Sequence, residues 1–85
     1  MARTLYVGNL PWKTKAEDLT EVFSRYGTVL ESRIITDKQT GRSRGFGFVE
    51  VNDEDADGMI AALNGTELEG RVITVNEARP REQYQ

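Results

Sequence analysis

The 85-residue chain contains no cysteine and no histidine. Without cysteine, disulfides and thiolate metal sites are excluded, and the composition suits a reducing compartment. Without histidine, the usual general base and the commonest metal ligand are both missing. No apolar run approaches the roughly 20 residues of a membrane-spanning helix, and the N-terminus lacks a signal-peptide core. A soluble, intracellular protein is therefore expected, cytoplasmic and with no membrane partner. Positive charge is also in deficit: 11 Lys and Arg stand against 14 Asp and Glu, a net charge of −3. Taken alone, that balance argues against nucleic acid as a partner. The length leaves room for one core only, and so short a chain buries about 60–65 % of its unfolded surface, so modest stability is expected.

The position of the charges says more than their sum. Asp53, Glu54, Asp55 and Asp57 fall within five residues, and Glu17, Asp18 and Glu21 lie on another helical stretch. Arg33, Lys38, Arg42 and Arg44 gather around the middle of the chain, with Arg79 and Arg81 near its end. Two acidic helices behind a more basic sheet would reconcile the acidic total with an anionic ligand.

Leu5-Tyr6-Val7 reads as a strand, stopped by Gly8-Asn9-Leu10-Pro11-Trp12. Thr14 and Glu17 have the spacing of a capping box, and Leu19, Val22, Phe23 and Tyr26 follow at helical intervals. Gly27 is placed to end that helix. Residues 28–36 are rich in β-branched side chains and predict a second strand. A polar hairpin loop over 37–43 leads into a third. Asn52 or Asp53 starts a second helix, with Ala56, Met59, Ile60 and Leu63 as its buried stripe and Asn64-Gly65 at its end. Gly58 within it costs about 1 kcal/mol relative to Ala. A small ribbon around Glu69-Gly70 and a last strand ending at Asn76 complete the order β-α-β-β-α-β. The fold predicted is α+β, ferredoxin-like (split βαβ): a four-stranded antiparallel sheet with both helices on one face and the other face open.

Arg44-Gly45-Phe46-Gly47-Phe48-Val49-Glu50-Val51 carries the most information. Successive strand residues point to opposite faces, so Arg44, Phe46, Phe48 and Glu50 share one face and Gly45, Gly47, Val49 and Val51 the other. If Val49 and Val51 are buried, two phenylalanines and an arginine are left in water. A domain selected for stability alone would bury those rings. Rings exposed on a flat sheet beside a cation suit stacking on unpaired bases. Leu5 and Val7 claim the buried face of the first strand. By the same parity Arg33 faces outward if Ile34 is buried, and Asn76 does so beside Val75. The spacing Gly45-x-Gly47 lacks the third glycine of a dinucleotide fingerprint and opens no helix, so these glycines are expected to admit a helix close to the sheet. Trp12 is expected to staple onto the first helix, with base contact as the second option.

The octamer, which departs from the RNA-recognition-motif signature only at Val51, follows Leu5-Tyr6-Val7-Gly8-Asn9-Leu10 in the order that family requires. From residue 4 to about 79 the chain resembles a single RNA-recognition motif. It is most similar to small single-domain bacterial RNA-binding proteins and to glycine-rich, cold-responsive ones, without their glycine-rich tail. The resemblance implies that Tyr6 and Phe48 stack bases, that Phe46 packs against riboses, and that Arg44 lies near phosphate. It adds Asn76 and Arg79 as contacts to base edges, and strand parity alone adds Arg33 as a further RNA-binding candidate. It also implies single-stranded RNA as partner, with single-stranded DNA as a second candidate, no cofactor, a monomer, and a role in RNA regulation or cold response. The domain is expected over residues 1–81, with a mobile tail over 82–85. A competing function is a protein-interaction module using the sheet or the acidic second helix, but such relatives usually lose the sheet aromatics that are all present here. No arrangement of side chains suggests an enzyme.

Overall fold

The computed structural model describes residues 2–41 and 43–78, with the side chains of Ser43 and Arg44 outside that description. The elements are β1 (Ala2–Gly8), α1 (Ala16–Ser24), β2 (Val29–Thr36), β3 (Ser43–Asn52), α2 (Asp53–Leu63), β4 (Glu67–Leu68), β5 (Arg71–Val72) and β6 (Thr74–Glu77). Strands β2-β3-β1-β6 form one antiparallel sheet in that order, and β4-β5 a separate two-stranded ribbon. The predicted α+β, ferredoxin-like order is the one observed. The expected tail over 82–85, and the domain end at 81, lie outside the described residues.

Alternation within the strands decides which face is covered. Leu5 and Val7 of β1, Val49 and Val51 of β3, and Val75 of β6 are all fully buried. They meet Leu19 and Phe23 of α1 and Ala56, Met59 and Leu63 of α2 in one cluster, so both helices cover the same face. Val51, the octamer's one departure, belongs to this core, and its effect is confined to packing. Strand β1 is longer than the three residues expected because β3 runs for ten residues and pairs with it from Ala2↔Asn52 to Val7↔Gly47.

The helix ends partly differ from expectation. The cap of α1 is Lys15, extended at φ −110° and ψ 165°, and its N–H donates to the Asp18 carboxylate at 2.9 Å. The Thr14–Glu17 box does not form. Thr14 is buried, and its hydroxyl donates to Glu69 Oε1 at 2.9 Å in the turn between β4 and β5. A tertiary bond has claimed the hydroxyl, and the reading frame of the cap has moved one residue on. Nor does Gly27 close the helix in a left-handed conformation: the C-cap is Arg25, and Gly27 is not among the positive-φ glycines. A Cβ on Gly27 would come within 2.6 Å of the Asp55 side chain, whose carboxylate accepts the Thr28 N–H at 3.0 Å. The glycine lets α2 approach this loop.

Helix α2 begins after Asn52, and Asp53, Glu54 and Asp55 oppose the positive end of its dipole. It ends at Asn64, followed by Gly65 at φ +83°. Gly58 is exposed in mid-helix; a Cβ added there would meet nothing within 4 Å, and its φ is an ordinary one. Gly58→Ala is therefore expected to stabilise the fold by about 0.5–1 kcal/mol. Urea unfolding would show this as a higher midpoint at unchanged slope.

Candidate nucleic-acid interface

The open face is organised by strand register. Arg33 pairs with Phe48, Phe48 with Tyr6, and Tyr6 with Asn76, so one residue from each strand lines up across the sheet. The buried neighbours Leu5, Val7, Val49 and Val75 have the opposite parity, which places this row on the uncovered side. Phe46 lies two residues along β3 on the same side. The three rings form a near-equilateral triangle, with centroids 5.8 Å apart for Tyr6–Phe46 and 6.0 Å for each of the other pairs. They are half-buried, supported by one another and by the strand backbone, with the face of the cluster left in solvent.

Glycines shape this platform. A Cβ on Gly8 would lie 2.6–2.9 Å from the Tyr6 ring and hydroxyl, so Gly8 leaves the space over which that ring lies. A Cβ on Gly47 would collide with the Arg33 carbonyl oxygen and press on Ile34. The close approach expected at Gly45 and Gly47 is thus made, at Gly47, by the neighbouring strand and not by a helix. It draws β2 tight against β3 and sets Arg33 beside Phe48. Gly45 serves differently: its φ of +89° favours glycine, and its carbonyl accepts the Leu10 N–H at 2.8 Å.

Charge on the open face is more mixed than the sequence suggested. Glu31 pairs across the strands with Glu50, and Arg33 Nη2 lies 3.9 Å from Glu31 Oε2. Thr4, Glu31, Arg33, Phe48 and Glu50 line a shallow depression of about 210 Å³. Arg3, in contrast, faces the helical side. Its guanidinium meets Asp53 at 2.7 Å, Asp57 at 3.1 Å and Glu77 at 3.4 Å, tying β1 to α2 and β6. Sequence reasoning did not single out Arg3, although the parity of β1 places it there.

The predicted residues Tyr6, Phe46, Phe48, Arg33 and Asn76 come together on one face. The Arg44 side chain and all of Arg79 lie outside the described residues. Asn9 also lacks a signal that sequence reasoning used. It adopts φ +58°, its amide donates to the Val72 carbonyl, and its side-chain oxygen accepts from Arg71 at 2.7 Å. It thereby holds the β4-β5 ribbon to the end of β1. Trp12 does not staple: it is 72 % exposed. Among the described residues no group of His, Cys, Asp and Glu could hold a metal ion, and no helix is long and apolar enough to cross a membrane.

Comparison with known proteins agrees with this geometry. The pattern of the RNA recognition motif family matches residues 5–74. The chain is 56 % identical over 77 residues to glycine-rich RNA-binding protein 8 of Arabidopsis thaliana, covering 89 % of this chain and 46 % of that protein. It is 53 % identical over 81 residues to the putative RNA-binding protein RbpE of Nostoc sp., covering 94 % and 82 % respectively. The chain thus spans about half the length of the plant relative. Among solved structures, the RNA-binding protein PG1 superposes with a TM-score of 0.88 at 48 % identity, over 93 % of this chain and 96 % of that one. The Sex-lethal protein in complex with RNA gives 0.83 at 39 % identity, over 89 % and 47 %. These relatives are named for binding RNA and not for catalysis. The chain belongs to the RNA recognition motif family.

Proposed function

We propose that the chain binds single-stranded RNA on the open face of its sheet. Bases stack on Tyr6 and Phe48, Phe46 packs against riboses between them, and Arg33 and Asn76 contact the strand at the two ends of the row. Arg44 near phosphate and Arg79 near a base edge belong to the same reading. The observation that carries it is the triangle of three rings about 6.0 Å apart on the uncovered face. Each stacked base is worth about 1–3 kcal/mol. Stacking can therefore supply much of the roughly 8 kcal/mol of a micromolar complex, despite the chain's net negative charge. The RNA complex of a relative 39 % identical supports the same partner. The reading includes a monomeric domain acting in the cytoplasm in RNA regulation or cold response, with single-stranded DNA as a second candidate ligand.

The acidic second helix offers less to a protein partner than its sequence suggests. Asp53 and Asp57 are paired with Arg3, and Asp55 accepts the Thr28 N–H. Of the four acids, only Glu54 has no such bond among the described residues.

Two measurements test the site. Gly8→Ala is expected to push the Tyr6 ring off its seat and weaken binding of a short single-stranded RNA about fivefold, a cost near 1 kcal/mol, with the circular dichroism spectrum unchanged. Unchanged affinity would separate Tyr6 from the ligand. Titrations at several salt concentrations should give a log–log slope near −2 for a site neutralising about three phosphates of a single strand. A flat dependence would remove the cations from the mechanism.

A further inference from the structure

Next to the row Arg33, Phe48 and Tyr6, the open face carries a second row in the same register. Glu31 pairs with Glu50 and Glu50 with Thr4, so two carboxylates stand directly opposite each other beside the rings. Like charges in that position destabilise a strand pair. Other acids of the chain serve the fold: Asp53, Asp57 and Glu77 hold Arg3, Asp55 accepts from Thr28, and Glu69 accepts from Thr14. Glu50 is half-buried and has no hydrogen bond or ion pair among the described residues. Glu31 has only Arg33, at 3.9 Å with both side chains well exposed, a contact worth little to stability. The fold thus makes no use of this carboxylate pair, and a ligand can.

Thr4, Glu31 and Glu50 line the depression of about 210 Å³ together with Arg33 and Phe48. Phe48 is the ring on which the sheet reading places a stacked base, so that base presents an edge to the depression. Ionised carboxylates only accept hydrogen bonds, and they repel phosphate. The edge they suit is one rich in donors. Guanine presents two adjacent donors, its N1–H and its 2-amino group, which match the two oxygens of one carboxylate. Its O6 lies next to them as an acceptor, and the Arg33 guanidinium, opposite Phe48 in the register, can donate to it. Uracil offers one imino N–H between two carbonyl oxygens, which the carboxylates disfavour. Cytosine and adenine each offer one amino group beside an acceptor nitrogen.

From this arrangement we propose that Glu50 makes the Phe48 position selective for guanine. Glu50 accepts from N1–H and the 2-amino group, and Arg33, positioned by Glu31, donates to O6. The proposal rests on the sheet reading above, and the test separates the two. The full chain is titrated by anisotropy with labelled RNA strands of about five uridines whose central base is replaced by guanine, adenine, cytosine or hypoxanthine. The guanine strand is expected to bind about tenfold tighter than the all-uridine strand. Hypoxanthine, which keeps N1–H and O6 but lacks the 2-amino group, should lose about fivefold relative to guanine. Glu50→Gln should bring the guanine and uridine strands within about twofold of each other, while the uridine strand binds at least as tightly as before because a negative charge is gone. Glu31→Gln, which acts through Arg33, should reduce the preference about two- to threefold. Each variant relieves the like-charge pair, so its melting temperature should hold or rise.

Equal affinity for all the strands, or hypoxanthine binding as tightly as guanine, would overturn the assignment and leave the sheet reading intact. A Glu50→Gln chain that gains affinity for every strand with its guanine preference unchanged would also overturn it, since the carboxylate would then act by repulsion alone. Undiminished binding of guanine and uridine strands by a Tyr6→Ala, Phe48→Ala chain would overturn the sheet reading itself.

Discussion

Replacing Tyr6 and Phe48 together by alanine is expected to lower affinity for short single-stranded RNA on the order of a hundredfold. Each ring alone is worth about 1–3 kcal/mol to a stacked base. The two rings stand 6.0 Å apart edge to face, so their losses overlap and a total near 3 kcal/mol is the expectation. Both side chains lie on the uncovered face, and their removal hollows no part of the core in which Leu5, Val7, Val49 and Val51 sit. The melting temperature should therefore fall far less than the affinity. The conservative pair Tyr6→Leu and Phe48→Leu separates shape from stacking, because leucine fills space without offering a π face. It should lose nearly as much affinity as the alanine pair. Isothermal titration of a short oligonucleotide against each variant measures both losses, and an unchanged dissociation constant would exclude the rings from the site.

Phe23→Ala tests the opposite side of the sheet. Phe23 is fully buried at the C-terminal end of α1, where it joins the core under β1 and β3. Truncating a buried phenylalanine costs about 3–5 kcal/mol through lost transfer energy and the cavity left behind. A domain this short is expected in the lower part of the usual range of about 5–15 kcal/mol, so the variant should sit close to unfolding. At about 4–8 °C per kcal/mol for a domain of this size, the melting temperature should fall by well over roughly 10 °C. A fall of only a few degrees would show that the cavity collapses or that the core does not depend on this ring. Well below its melting point, the variant should still bind RNA, because Phe23 touches the hidden face only.

The features most legible in the sequence are those with a strict period. Leu5, Val7, Val49 and Val51 alternate with Tyr6, Phe48 and Glu50, and a one-residue slip in either strand would expose a valine row and bury the rings. Strand parity by itself therefore places Tyr6, Phe46, Phe48, Arg33 and Asn76 on one face. What escaped was set by partners distant in sequence. Thr14 matched a local cap, but Glu69, 55 residues away, takes its hydroxyl. Gly27 matched a local stop signal, yet its space is filled by Asp55 of the other helix. Gly47 was expected to admit a helix, whereas register brings the Arg33 backbone against it. Trp12 matched a staple, but the bonds fixing its loop leave the indole in solvent. Arg3 carried no local signal, since its meaning comes from Asp53, Asp57 and Glu77 on two other elements.

The ring platform remains the centre of the open face, with the surrounding glycines and Arg33 now part of it. An amide chemical-shift map of the full chain with a short single-stranded RNA of mixed sequence tests that centre most directly. The predicted result is a set of shifts concentrated on the row Arg33, Phe48, Tyr6 and Asn76 and on Phe46, with α1 and α2 quiet. Shifts concentrated on the first turn of α2, or spread evenly over both faces, would contradict it.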